Sequence, residues 1–210
     1  MSRYIAITDI HGELDKLERL LSRIQLRPDD IFVFLGDYID RGPNSKGVVD
    51  KVIEISEQYE TITLIGSHEY ALLHANSDDY YHYLFWNYGG PATVKSYGGS
   101  FDNILKIHGD FFRNLKFYHL TDDYLFVHAG INPRYKLEDQ SEVDLVYIRS
   151  AFYNNKHNLK QKVIFGHTEF DKPLIKDDKI CIDLGCGKYK NAKLCALILD
   201  EGKEEFIYSD

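Results

Sequence analysis

The sequence predicts an α/β fold built on a parallel β-sheet with helices on both of its faces. Within the first seventy residues, three short apolar runs alternate with stretches of helical periodicity, which is the rhythm of βαβ units. Each apolar run also ends in a polar loop that contains glycine. Because the carboxyl ends of parallel strands lie along one edge of a sheet, these loops are expected to share a crevice there.

Apolar runs bounded by polar residues predict three strands in the first third of the chain, at 4–8, 31–35 and 61–65. Leucines at helical spacing predict an amphipathic helix over 13–23 between the first two strands. A second helix is expected to begin near Asn44 or Ser45, because either side chain can cap the first turn.

The middle of the chain has a different pattern. Residues 69–99 are rich in Tyr, His and Trp, and they are predicted to be mainly helical with a loop near Gly89–Pro91. A further helix is predicted over 101–115. After that the periodicity favours strands, which are predicted at 116–120, 124–127, 163–165, 180–182, 194–199 and 205–208.

Length and composition narrow the class of protein. At 210 residues the chain is predicted to form one domain over 1–210. A net charge of -8 argues against a binder of duplex nucleic acid. The sequence has no signal peptide and no apolar run of about 18 residues, so no membrane partner is expected, and a cytoplasmic monomer is predicted. The three cysteines are interpreted as reduced core residues.

The segment Gly36-Asp37-Tyr38-Ile39-Asp40-Arg41-Gly42 is the most informative part of the sequence. It follows the apolar run 31–35 directly and places two carboxylates and one guanidinium on a short loop. A structural turn gains nothing from such a charged cluster. Carboxylates fixed beside an arginine suit a site that binds a metal cation together with an anionic group.

Polar side chains of this kind follow nearly every predicted strand. They are Asp9, His11, Asp37, Asp40, Arg41, His68, His128, His167 and Asp183. Histidine and aspartate together suit a borderline divalent metal such as Mn, Fe or Zn, and the lack of ligating cysteines argues against a structural zinc site. The number of ligands is sufficient for two ions, which could stabilise both the attacking and the leaving oxygen of a phosphoryl displacement. Asp183 is either a ligand or a support for its loop.

Five blocks of this sequence resemble, in order and spacing, the signature blocks of the PPP family of metallophosphatases. They are Asp9-Ile10-His11-Gly12, Gly36 to Gly42, Gly66-Ser67-His68-Glu69, His128-Ala129-Gly130 and Gly166-His167. The resemblance covers roughly residues 4 to 185 and implies a calcineurin-like metallophosphoesterase fold. In that fold helices sandwich β-sheets, and the metal site lies at the carboxyl ends of strands. The short chain and the Tyr147-Ile148-Arg149 element look most like the compact bacterial and phage branch.

The resemblance implies a role for each site residue. Asp9 and His11 would hold a first metal ion, Asp37 would bridge two ions, and His128 and His167 would hold the second. His68, oriented by Asp40, would protonate the leaving group. Arg41 and Arg149 would bind the phosphoryl oxygens. Manganese is the expected metal, with iron or zinc as alternatives, and a hydroxide bridging the two ions would be the nucleophile.

One block departs from the family pattern. The family has Gly-Asn-His-Glu where this chain has Gly66-Ser67-His68-Glu69. The family asparagine donates its side-chain oxygen to the second metal ion. The hydroxyl of Ser67 lies one atom nearer to the backbone, so it is expected to ligate weakly or to leave a place for water, which would loosen the second metal site.

Three functions are compatible with these residues. The first is a serine/threonine protein phosphatase that acts on phosphorylated proteins or small phosphoesters. The second is symmetrical hydrolysis of a dinucleoside tetraphosphate, for which the aromatic stretch 80–86 could stack a base. The third is a catalytically weak phosphate-binding module, which would follow from Ser67 at the position of a metal ligand.

Overall fold

The computed structural model describes residues 2–210 and contains ten strands and eight α-helices within that range. The strands are β1 (Arg3–Ile7), β2 (Asp30–Phe34), β3 (Glu60–Thr63), β4 (Tyr118–Leu120), β5 (Tyr124–Val127), β6 (Lys162–Phe165), β7 (Leu174–Ile175), β8 (Lys179–Cys181), β9 (Cys195–Asp200) and β10 (Lys203–Tyr208). The helices are α1 (Leu14–Arg23), α2 (Ser45–Ser56), α3 (Ser67–His74), α4 (Asp79–Asn87), α5 (Gly90–Ser96), α6 (Phe101–Arg113), α7 (Glu142–Tyr147) and α8 (Ser150–Tyr153).

The strands form two five-stranded mixed sheets. The first has the order β10-β9-β1-β2-β3, in which β1, β2 and β3 are parallel and β9 runs antiparallel to β1. The second has the order β4-β5-β6-β8-β7, with a parallel centre and an antiparallel strand at each edge. Each sheet therefore contains three neighbouring parallel strands, which are β1, β2 and β3 in the first sheet and β5, β6 and β8 in the second.

The two sheets pack against each other, and helices cover their outer faces. On β2, Phe32 and Phe34 belong to the core cluster beneath the helices, whereas Ile31 and Val33 face the second sheet. The prediction of helices on both faces of the first sheet is therefore wrong. An apolar run such as 31–35 shows only that both faces are buried, and it does not show whether a helix or a sheet buries them. The expectation of β-sheets sandwiched by helices is confirmed.

Most predicted elements are present, and their bounds differ from the predicted ones by at most two residues. The loop predicted near Gly89–Pro91 is shorter than expected, because Pro91 lies in the first turn of α5, where its missing N–H costs nothing. Asn44 caps α2 by accepting a hydrogen bond from the backbone N–H of Gly47. α7, α8 and β7 were not predicted from the sequence, because they are too short to show a period.

Two further findings concern the cysteines and the helices. All three cysteines are buried free thiols, as the sequence analysis expected. Within residues 2–210, the helices are all either too short or too polar to traverse a lipid bilayer.

Candidate active site

The loops that follow the parallel strands of both sheets meet at one place. Asp9 and His11 follow β1, Asp37 follows β2, and His68 lies in the first turn of α3 after β3. The second sheet contributes His128 after β5 and His167 after β6. All six of these side chains are buried, although they are polar. The crevice predicted at the carboxyl ends of the strands is thus present, and both sheets contribute to it.

Asp37 lies at the centre of this group. Its Oδ2 is 3.6 Å from Nε2 of His11 and 3.5 Å from Nε2 of His128. Its Oδ1 accepts a hydrogen bond of 2.9 Å from the backbone N–H of His68. One carboxylate therefore faces imidazoles from both sheets.

Backbone carbonyl groups set the tautomers of two of these histidines. Nδ1 of His11 lies 2.9 Å from the carbonyl oxygen of Ile39, and Nδ1 of His128 lies 3.0 Å from that of Leu35. A carbonyl oxygen only accepts, so each Nδ1 carries the proton, and each Nε2, which lies within 3.6 Å of Oδ2 of Asp37, keeps its lone pair. Nε2 of His128 also lies 3.3 Å from Nδ1 of His167. A histidine that binds a metal through one ring nitrogen is commonly oriented by a hydrogen bond from the other ring nitrogen, here to a backbone carbonyl oxygen.

The donor set fits two divalent cations that share Asp37. One group of potential ligand atoms comes from His11, Asp37 and His68, and another comes from Asp37, His128 and His167. Within each group the atoms lie within 4.8 Å of one another. Asp9 extends the first group, because its Oδ1 is 4.0 Å from Nε2 of His11.

The electrostatics of the group favour the forms that bind metal. Burial, together with neighbouring positive charge, holds the pKa values of His11 and His167 well below their usual range. Burial alone would raise the pKa of Asp37, but the surrounding histidines outweigh it and hold that pKa well below its usual value. Neutral imidazole and ionised carboxylate are the states in which these side chains ligate a cation. Burial raises the pKa of Asp9 to about 6.

His68 is held by a buried carboxylate. Its Nδ1 is 2.6 Å from Oδ2 of Asp40, and the other oxygen of Asp40 accepts a hydrogen bond of 2.6 Å from the hydroxyl of Thr93. Burial acts to lower the pKa of His68, but the carboxylates of Asp37 and Asp40 outweigh it and raise that pKa. Asp40 thus fixes the imidazole ring through Nδ1.

Two arginines line the same cavity as His68. Arg41 donates from Nη1 to Nε2 of His11 at 2.8 Å and lies 3.1 Å through Nη2 from Nε2 of His68. Arg149 instead forms an ion pair with Glu169. The cavity has a volume of about 180 Å³. Its lining residues include Asp9, Asp37, Arg41, Ser67, His68, Ala71, Leu84, Tyr88, Tyr147, Arg149, His167 and Glu169.

Ser67 lies beside Asp37, where the sequence analysis placed a ligand of the second metal ion. Its hydroxyl is 3.2 Å from Oδ2 of Asp37. The hydroxyl of Tyr147 donates a 3.0 Å hydrogen bond to the carbonyl oxygen of Ser67 and so fixes the backbone of this turn.

The site loops use left-handed backbone conformations that side chains rarely adopt. Positive φ angles occur at Asp9, His11, Asp37, Asp40, Arg41 and His167, between 49° and 74°. Each such residue costs roughly 1–3 kcal/mol unless its surroundings compensate. Gly66 permits a close approach, because a Cβ atom there would lie 2.2 Å from the backbone nitrogen of Asp37. Strained backbone of this kind is concentrated at functional sites.

The model of the family described as calcineurin-like phosphoesterase matches residues 2–207. The chain belongs to the calcineurin-like phosphoesterase family. This family assignment agrees with the two mixed sheets, the flanking helices and the cluster of histidines and aspartates. It also makes this calcineurin-like phosphoesterase a hydrolase, and divalent metal ions are the cofactors of its family.

Several solved structures have a similar fold. A candidate diadenosine tetraphosphatase has a TM-score of 0.74 and 20% identity, and the match covers 99% of this chain and 93% of that one. A cold-active protein-tyrosine phosphatase from Shewanella has a TM-score of 0.71 and 15% identity, with coverage of 100% and 78%. A serine/threonine phosphatase from Saccharomyces cerevisiae, similar to human PP5, has a TM-score of 0.67 and 17% identity, with coverage of 95% and 73%. At these identities the likeness establishes the fold alone.

Three further residues, Glu69, Tyr38 and Asp183, make hydrogen bonds that support the site loops. Glu69 accepts hydrogen bonds from the backbone N–H groups of Asp37, Tyr38, Ile39 and Gly66, so it braces two site loops. Tyr38 is fully buried and donates to the carbonyl oxygen of Leu64. Asp183 accepts from the backbone N–H of Gly185 and supports its own loop.

Several residues that the fold brings to the cavity or its support had no predicted site role. Thr93 holds Asp40 from α5, Glu169 pairs with Arg149, and Leu84 and Tyr88 form part of the cavity wall. Their residue types have no special spacing, and only the Gly166-His167 block pointed to the neighbourhood of Glu169. A larger, more open depression of about 1150 Å³ lies at the opposite ends of the parallel strands and contains none of the predicted site residues.

Proposed function

We propose that this calcineurin-like phosphoesterase is a serine/threonine protein phosphatase that hydrolyses phosphomonoesters with two manganese ions bound. The observation that carries the proposal is the cavity of about 180 Å³, which brings Arg41, Arg149 and the His68–Asp40 pair together beside Asp37. Pockets that enclose drug-sized ligands have volumes of about 300–1,000 Å³. The smaller cavity suits a phosphoryl group on a short side chain.

The proposed metal ligands are Asp9, His11 and Asp37 for one ion, and Asp37, His128, His167 and Ser67 for the other. Bound divalent ions would polarise the phosphoryl oxygens and supply a nucleophile at neutral pH. The lone pair on Nε2 of His11 can accept from Arg41 or bind a cation, but not both. Arg41 is therefore free to turn to a phosphoryl oxygen when a cation occupies the first position.

His68 is the proposed general acid. An alkoxide leaving group needs a proton, and the carboxylates of Asp37 and Asp40 raise the pKa of His68, which favours the protonated imidazole that can deliver it. Asp40 fixes the ring through Nδ1, which leaves Nε2 to face the cavity. Arg41 and Arg149 match the charge that spreads over the phosphoryl oxygens.

A substrate panel tests this proposal. Rates are measured on phosphoserine, phosphothreonine and phosphotyrosine peptides and on diadenosine tetraphosphate, each over a range of Mn concentrations. The proposal expects the highest kcat/KM on the phosphoserine or phosphothreonine peptides. A clear preference for diadenosine tetraphosphate would overturn it.

A specific observation favours the dinucleotide as the second candidate substrate. Tyr80 and Tyr83 on α4 and Tyr88 just after it are each more than half exposed, and Tyr88 also lines the cavity. Exposed aromatic rings next to a phosphoryl site can stack nucleobases. The third candidate, a weak phosphate-binding module, would be supported by binding of phosphopeptide without turnover at any Mn concentration.

Three further predictions rest on the sequence alone. We propose that the phosphatase belongs to the compact PPP branch, that it acts as a monomer in the cytoplasm, and that residues 1–210 form one domain. Manganese is proposed as the metal, with iron or zinc as alternatives. All three metals accept a donor set that combines imidazole with carboxylate.

A further inference from the structure

Glu169 lies in the wall of the catalytic cavity and contacts two cations. Its Oε2 is 3.4 Å from Nη1 of Arg149, and its Oε1 is 2.5 Å from Nζ of Lys188. The side chain of Glu169 is 16% exposed, whereas that of Arg149 is 46% exposed. The carboxylate is thus held in the wall, and the guanidinium retains freedom to move.

Glu169 and a phosphoryl group would bind the same guanidinium group of Arg149. Carboxylate and phosphate both present paired anionic oxygens to the guanidinium fork. The 3.4 Å contact is longer than the 2.7–2.9 Å typical of a charge-assisted hydrogen bond, so Glu169 holds Arg149 loosely. Because the side chain of Arg149 is 46% exposed, water screens this ion pair and weakens it, so the pair can be exchanged.

We infer that Glu169 is a positioning residue that competes with the phosphoryl group for Arg149 and so weakens the binding of phosphate. The inference rests on the proposed function, because it takes Arg149 as a phosphoryl-binding side chain. Lys188 moderates the competition, since its ammonium group compensates part of the charge of Glu169. During turnover, product phosphate would leave as Glu169 regains Arg149.

Binding of inorganic phosphate to Mn-loaded protein, measured by calorimetry, provides the first test. Glu169→Gln keeps the shape of the side chain but removes its charge, so the dissociation constant for phosphate is expected to fall about two- to fivefold, the range of a weak ion pair. KM for a phosphomonoester is expected to fall by a similar factor while kcat does not rise. Glu204→Gln is the matched control, because it removes a carboxylate from an ion pair with Lys162 outside the cavity.

Two more variants test whether Glu169 acts through Arg149. Lys188→Gln is expected to raise the phosphate dissociation constant, which is the opposite sign, because an uncompensated Glu169 holds Arg149 more tightly. In an Arg149→Ala background, Glu169→Gln is expected to give no gain. An equal gain in that background would show direct repulsion of phosphate by Glu169 and would overturn the inference, as would unchanged binding in Glu169→Gln alone.

The rate of monoester hydrolysis and the dissociation constants for phosphate together separate this inference from the proposed function. If the parent protein hydrolyses no monoester at any Mn concentration, the proposed function fails, and the calorimetric constants still decide the role of Glu169. If the parent is active and the dissociation constants of Glu169→Gln and Lys188→Gln match that of the parent, the role assigned to Glu169 fails alone.

Discussion

Ser67 is the residue at which this chain differs most sharply from the pattern it resembles. Its hydroxyl lies next to Asp37, but it reaches one atom less far than an asparagine side chain. Replacing it by Asn returns a carbonyl oxygen to the proposed second metal position. We expect Ser67→Asn to lower the Mn concentration for half-maximal rate at least about tenfold, because lost support at a metal site typically costs 10–100-fold in affinity or activity.

The metal content after desalting gives an independent measure of this change. It is expected to rise from nearer one ion per chain in the parent towards two in Ser67→Asn. Ser67→Ala is the control for the hydroxyl itself, and it should bind no more metal than the parent. Identical Mn dependence and stoichiometry in Ser67→Asn and the parent would remove Ser67 from the ligand position.

The role of His68 is tested by comparing leaving groups. His68→Ala is expected to slow hydrolysis of an alkyl phosphate by about 10²–10⁴-fold, the usual contribution of general acid catalysis. A nitrophenyl phosphate needs less help from an acid, so its rate should fall less. Equal losses on the two substrates would argue against His68 as the acid. Metal content serves as the control, because the first group of potential ligands also includes His68.

Thr93 offers a test of the support behind His68. Thr93→Val keeps the shape of the side chain but removes the hydroxyl that donates to Asp40, leaving a fully buried carboxylate with one partner fewer. We expect the free energy of unfolding to fall by about 1–3 kcal/mol, measured by urea denaturation. Thr93→Ser retains the hydroxyl and should recover most of that loss. Equal stability of the Val and Ser variants would contradict this account.

The sequence alone marked most of the polar residues that the fold gathers at the cavity, but few of the residues that support them. Asp37, His128 and the other strand-end residues stand out because charged and imidazole groups after an apolar strand have no packing purpose. Thr93 and Glu169 are ordinary residue types, and the fold brings Thr93 to Asp40 across 53 positions of sequence. Nothing local marks such a contact before the fold is known.

At the scale of elements, the junction between α4 and α5 positions Arg41. Gly89 has a φ of +118°, its carbonyl oxygen accepts from the backbone N–H of Arg41, and a Cβ atom there would lie 2.4 Å from that nitrogen. Gly89→Ala is expected to displace Arg41 and to raise KM for a phosphomonoester severalfold, on top of roughly 1–3 kcal/mol of backbone strain. Steady-state kinetics and urea denaturation measure the two effects.

Gly99→Ala is the matched control for this prediction. Gly99 also has a positive φ, of +86°, but a Cβ atom there meets nothing within 4 Å. Its replacement should therefore lower stability by a similar amount without changing KM. If Gly99→Ala and Gly89→Ala change KM equally, the contact of Gly89 with Arg41 does not position the arginine.

The positions of the strands were predicted better than the pairing between them. The apolar runs located β1, β2 and β5 within one residue, because a strand buried on both faces leaves a local signal. That signal does not specify which strand pairs with which, so the antiparallel placement of β9 beside β1 and the contact between the sheets appear only in the folded chain.

At the scale of the whole molecule, the proposed metal site joins the two sheets. Asp9, His11 and Asp37 come from the first sheet, and His128 and His167 come from the second. Bound metal should therefore stabilise the molecule as a whole. At a free Mn concentration 100 times its Kd, we expect about 2.7 kcal/mol of stabilisation and a Tm about 5–10 °C higher than in the chelated protein. Differential scanning calorimetry with and without a chelator measures this difference.

The His128→Ala variant provides the comparison for metal removal. It lacks one of the proposed ligands from the second sheet, so its Tm should change less when metal is chelated. A Tm that is the same with and without chelator in the parent protein would show that metal does not hold the sheets together.

The position of β1 in the first sheet has a consequence for biosynthesis. β1 leaves the ribosome well before one of its neighbours, β9, because most of the described chain lies between these two strands. Until then the nascent chain carries an apolar strand with an open edge, which is the kind of surface that pairs wrongly with other chains. Synthesis of this protein should therefore depend on chaperones that shield nascent chains, and early termination before β9 should give insoluble product.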